Sequence, residues 1–143
     1  HRLRSSKAPS TRSAIDPSIA GRQCFDLICA AREYFSIEKG WPLPASLAKD
    51  PVFVGRLMAM MDMLSEKSGE SSLLKPNCRS LFSVIFGEPN AEHAAQLMAH
   101  GDSNPQLMQA LVALEQELPG NSNAKFVMLS RIGSPMVDAF KNR

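Results

Sequence analysis

Apolar positions in this chain recur at three- and four-residue intervals, and no stretch alternates β-branched and polar residues with period two. That pattern predicts helices throughout. In CFDLICAAREYF, residues 24–35, apolar groups fall at 24, 28, 31 and 35 and again at 25, 29 and 30. A surface this broad predicts a central helix contacted from several sides. LMAMMDML, residues 57–64, spreads Met58, Met60, Met61 and Met63 around its helix. Further on, PQLMQALVALEQEL places Leu107, Leu111, Leu114 and Leu118 on one stripe beside Met108 and Val112, with Gln109, Gln116 and Glu117 toward water. One helix of that length is too short for an independent coiled coil, so the stripe is expected to face a bundle core.

Proline and glycine divide these patterns into segments. Asp16-Pro17, Asp50-Pro51, Asn104-Pro105 and Ser134-Pro135 each put a capping side chain before a proline, and Lys75-Pro76 and Glu88-Pro89 are weaker starts of the same kind. Gly40, Gly69, Gly87, Gly101, Gly120 and Gly133 stand where helices should stop. The predicted helices are 17–38, 51–67, 76–86, 89–100, 105–118, 124–132 and 135–142. Short connections suit antiparallel neighbours. The expected fold is therefore all-α, a compact bundle of six or seven short helices over 16–143 behind a flexible basic arm over 1–15.

DPSIAGR, from Asp16, and DPVFVGR, from Asp50, begin two of these helices alike, 34 residues apart. The spacing equals a tetratricopeptide unit, but the Trp, Gly, Tyr and Ala positions of that repeat are absent, and VIFGEPN at 84–90 does not continue it. The shared Asp-Pro is a local starting device. Glycine inside a helix costs about 1 kcal/mol against alanine, so Gly21 and Gly55 call for a packing reason, here expected to be close approach of the first two helices.

Composition fits one globular domain: 143 residues, 44% hydrophobic and 6% aromatic. Cys24, Cys29 and Cys78 make neither a CxxC pair nor a zinc spacing, and their apolar neighbours predict buried thiols in a reducing compartment. No run approaches the length of a membrane span, so no transmembrane segment is expected.

The net charge of +2 hides a segregation. Residues 1–12 carry Arg2, Arg4, Lys7 and Arg12 and no acid, whereas 80–124 carry Glu88, Glu92, Asp102, Glu115 and Glu117 and no Lys or Arg. Specific duplex binding rests on phosphate neutralisation by a basic folded face, which the body beyond residue 12 does not offer. The arm is suited to weak contact with nucleic acid or an anionic membrane. The acidic block is suited to a partner protein with a basic surface.

Catalytic signals are sparse. His93 and His100 share a helix face two turns apart, too far for one metal ion, and no Cys or carboxylate completes a zinc set. Glu33 and Glu38 diverge, and there is no nucleophile elbow or glycine-rich phosphate loop. No cofactor or metal is expected. The expected function is a protein–protein interaction module, an adaptor, scaffold or inhibitory domain, in a setting such as the helical body of a secreted bacterial effector acting on a host protein inside the cell. Expected contacts are Trp41, displayed on the proline-stiffened KGWPLPASLAKD segment, and Met58, Met60, Met61 and Met63, which suit an adaptive groove, with Glu88, Glu92 and Asp102 as a polar rim. The alternatives are a nucleic-acid-associated regulator working through the arm and an enzyme whose site no local motif reveals.

Overall fold

The computed structural model describes residues 18–38 and 40–142, so the arm with Arg2, Arg4, Lys7 and Arg12 lies outside the described residues. Within them the chain forms α1 (Ile19–Tyr34), α2 (Ala45–Ala48), α3 (Pro51–Ser68), α4 (Leu74–Phe86), α5 (Asn90–Ala99), α6 (Pro105–Glu117) and α7 (Ala124–Lys141). Short 3₁₀ turns at Ser71–Leu73 and Gly101–Ser103 precede α4 and α6, and none of the described residues is in a strand.

Two proline starts form as expected. Asp50 Oδ1 accepts from the Val52 N–H at 2.9 Å and Asn104 Oδ1 from the Leu107 N–H at 3.1 Å, each with proline opening the helix. α1 starts differently. Its cap is Ser18, whose Oγ accepts from the Gly21 N–H at 2.7 Å. A second cap reaches in from beyond α3, where both Glu70 carboxylate oxygens accept from the N–H groups of Ile19 and Ala20 at 3.0 and 2.9 Å. An anion at a helix N-terminus is stabilised there, and these backbone hydrogen bonds, led by that of Ala20, hold the Glu70 carboxyl below its ordinary range.

α1 stops at Tyr34, not at 38, for a reason that glycine counting misses. Ile37 N–H bonds to the Arg32 carbonyl and Ser36 N–H to that of Glu33, with Ser36 left-handed at φ 55°. This is the Schellman pattern, with serine in the place usually taken by glycine. α3 ends the same way: Glu70 N–H bonds to Ser65 O and Gly69 N–H to Glu66 O, with Gly69 at φ 75°. The turn at Gly69 delivers Glu70 to its cap.

The expected break at Gly133-Ser134-Pro135 does not occur, and α7 runs through it. Its buried stripe, Met128, Ile132, Met136 and Phe140, keeps helical spacing across the proline, so packing outweighs the local penalty. Pro135 has no N–H to give the carbonyl of Arg131, four residues earlier. Arg56 Nη1, from α3, donates to that carbonyl instead at 2.9 Å. If this replaces the missing bond, Arg56→Met should cost about 1 kcal/mol in the natural sequence and markedly less beside Pro135→Ala, where residue 135 regains its donor. A double-mutant cycle in urea unfolding measures the coupling.

α3, rather than α1, is the central helix: it packs against every other helix, most extensively α6. Phe53, Val54, Leu57, Met60, Met61 and Leu64 are buried along it. Its Gly55 serves close approach as expected, but to α6 rather than α1, since a Cβ there would lie 2.6 Å from the Leu107 carbonyl oxygen.

Candidate functional site

The C-terminal end of α1 and the chain that follows meet α7 in a cluster of rings. Tyr34 stands edge-on to Phe35 at 5.2 Å between centroids and edge-on to Phe126 of α7 at 5.7 Å. A Cβ at Gly133 would fall into the Phe35 ring, so Phe35 is seated directly on the α7 backbone. Tyr34 and Phe126 nevertheless remain 59% and 50% exposed. Both lie off the buried stripes of their helices, which run through Cys24, Ile28 and Ala31 in α1 and through Met128, Ile132 and Met136 in α7. An exposed ring pair held in fixed geometry has little rotamer freedom to lose on binding, which favours it as an anchor.

Trp41 is both plug and display. One face stacks on Phe25 with centroids 5.3 Å apart, the Arg32 guanidinium lies 4.5 Å from its ring centre, and 41% of the residue is exposed. Arg32 is buried, with the Phe140 ring 5.7 Å away on another side. Its Nη1 has no hydrogen-bond partner, so the aromatic faces carry much of the compensation for a cation taken out of water. Burial pulls the Arg32 pKa down, with partial opposition from Cys29.

The methionine groove is corrected. Met60 and Met61 are completely buried, and Met58 and Met63 are partly buried against the core. A helix that packs against every other helix uses flexible methionines to fill irregular gaps, so the buried Met60 and Met61 offer nothing to a partner. Glu88 and Glu92 are exposed and come together around a small dent between α4 and α5. Glu88 accepts from Ser83 Oγ at 2.9 Å, and Glu92 lies 3.6 Å from Arg79, so part of the acidic rim is answered within the chain. Asp102 is exposed in the turn before α6. The structure thus joins Glu88 to Glu92 and does not join either to the methionines.

No family model, curated protein or solved structure matches this chain. Its own geometry is what informs function.

Cys24 and Cys78 are buried, Cys29 half-buried, and all three are free thiols. Burial, with a smaller contribution from Asp62, pushes Cys78 up to about 12, and burial likewise raises Cys24 and Cys29. Thiols so disfavoured as thiolates are poor nucleophiles. His93 and His100 are exposed, and among the described residues no three His, Cys, Asp or Glu side chains converge to hold a metal. A groove of about 690 Å³ runs between the 42–50 segment and the end of α7, with Asp50, Asn90 and Asp138 on its walls. No described helix is long and apolar enough to cross a membrane.

Proposed function

We propose that this chain is a protein–protein interaction module whose contact surface is the aromatic face built by α1 and α7. The observation that carries the reading is the exposed, edge-to-face Tyr34–Phe126 pair braced by Phe35. Large apolar rings cost free energy when left in water, and here they are fixed at the surface. Glu33 and Lys125, exposed beside them in sequence, provide charges of both signs, and a polar rim around an apolar centre is the usual anatomy of an interface. Trp41 is a further candidate anchor by virtue of the part of its ring left in water.

A contact dominated by rings is expected to survive salt, unlike one made through basic residues. Affinity capture from lysate at low and high salt, with wild type and Tyr34→Asp side by side, tests this. A protein held by wild type at both salt levels and lost from Tyr34→Asp supports the aromatic face. Equal capture by both chains, or nucleic acid held at low salt alone, moves the function elsewhere.

A further inference from the structure

α6 is attached to the body in an unusual way. Apart from the 3₁₀ turn that leads into it, its packing is almost entirely against α3. A second tether, Arg131 of α7 to Glu117 with Nη2 2.6 Å from Oε2, is solvent-accessible on both sides, and such pairs hold little. The two helices run in the same direction. Gly55 meets Leu107 at the start of the seam, and Asp62 and Glu66 meet Glu115 towards its end.

At that end the three carboxyls line a groove of about 240 Å³ whose other walls include Met63 and Leu118, and no Lys or Arg lines it. Carboxylates crowded in a partly apolar groove without a cation cannot all remain ionised cheaply, and the usual resolution is a shared proton. We infer that the α3–α6 seam is a proton-responsive joint, in which a proton on Glu115, donated in a hydrogen bond to Asp62, holds the end of α6 on the body and its loss loosens α6 locally, uncovering the Leu107, Leu114 and Leu118 stripe.

The charges around α6 agree with this. On α3 they are Arg56, Asp62, Glu66 and Lys67; on the preceding turn, Asp102; on α7, Arg131. Arg131 is engaged by Glu117 and Arg56 by the Arg131 carbonyl, while Lys67 is exposed and does not line the groove. From α4 the Cys78 thiol, close enough for Asp62 to act on it, stays protonated through neutrality. The Glu115 carboxyl is pushed up to about 7, first by burial, then by the hydrogen bond and charge of Asp62 and the charge of Glu66. A folded carboxyl that binds its proton more tightly than the unfolded one stabilises most below the ordinary carboxylate range and loses that contribution as pH rises toward its folded value. The joint is therefore tightest in mild acid and loosens through neutrality.

Native-state hydrogen exchange on the whole chain, expressed as protection factors so that the pH dependence of the chemical rate is divided out, tests the inference. Between about pH 5 and about pH 8, α6 amides should lose protection by about tenfold or more, the effect of one pKa unit, while α4 and α7 change far less. Glu115→Gln, which keeps a donor without the charge, should flatten the α6 profile. Asp62→Asn should do so independently, and either variant suffices if the other fails to fold. Wild-type α6 protection that does not vary with pH, a loss shared equally by all helices, or an unchanged profile in the folded variants would overturn it.

Discussion

Gly55→Ala is expected to destabilise the protein by about 2 kcal/mol, although alanine is the better helix former by about 1 kcal/mol. The new Cβ would stand 2.6 Å from the backbone oxygen of Leu107 and 3.3 Å from the Ala110 side chain. A backbone oxygen in the middle of a helix cannot step aside as a side-chain tip can, so α6 must move as a whole. Overpacking of this kind costs about 1–3 kcal/mol, and the upper end applies because the obstacle is main chain. The net sign is loss. Urea unfolding should show a lower midpoint, and thermal unfolding a decrease of roughly 6 °C for a chain of this size. A Gly55→Ala protein as stable as wild type would mean that the helices are not in the close contact described.

Phe86→Ala should have a larger effect, about 4 kcal/mol. Phe86 is fully buried and packs edge-to-face on Phe53 with centroids 6.3 Å apart, and against Phe82 at 6.1 Å. Those three rings fasten α4 to the central helix. Neighbours on well-formed helices cannot collapse into the vacated volume, so the cavity contribution adds to the lost transfer free energy. Against a total stability of about 5–15 kcal/mol for a domain, the loss should bring unfolding close to physiological temperature, as calorimetry would show.

Much of the fold was legible because its determinants are local. Helical spacing of apolar residues is a direct consequence of 3.6 residues per turn, and Asp50-Pro51 and Asn104-Pro105 carry cap and dihedral within adjacent residues. What was hidden depends on distant residues. Glu70 caps a helix that begins 51 residues earlier, and Arg56 satisfies a carbonyl 75 residues later, which helps a proline sit inside α7. Ser36 ends α1 with the geometry that Gly69 gives α3, so a reading keyed to glycine finds one stop and misses the other.

The candidate site was less legible than the fold. Met60 and Met61 looked like an adaptive surface because their own sequence does not tell how many helices surround them. Tyr34 and Phe126 are not marked as partners in the sequence, because they become a pair only when α1 and α7 meet. Each did carry a signal: a ring that falls off the buried stripe of its own helix. Asp62 and Glu115 are unremarkable in sequence and acquire their chemistry from the seam that brings them together.

We propose the Tyr34–Phe126 face as the place where a partner binds. Its most direct test is the affinity of a purified captured protein for wild type and for Phe126→Asp, with thermal unfolding of both chains recorded in parallel. Affinity should weaken by at least about thirtyfold, the effect of a hot-spot residue worth about 2 kcal/mol, with the unfolding midpoint nearly unchanged because the side chain is half in water. Undiminished affinity in a well-folded Phe126→Asp chain would contradict it.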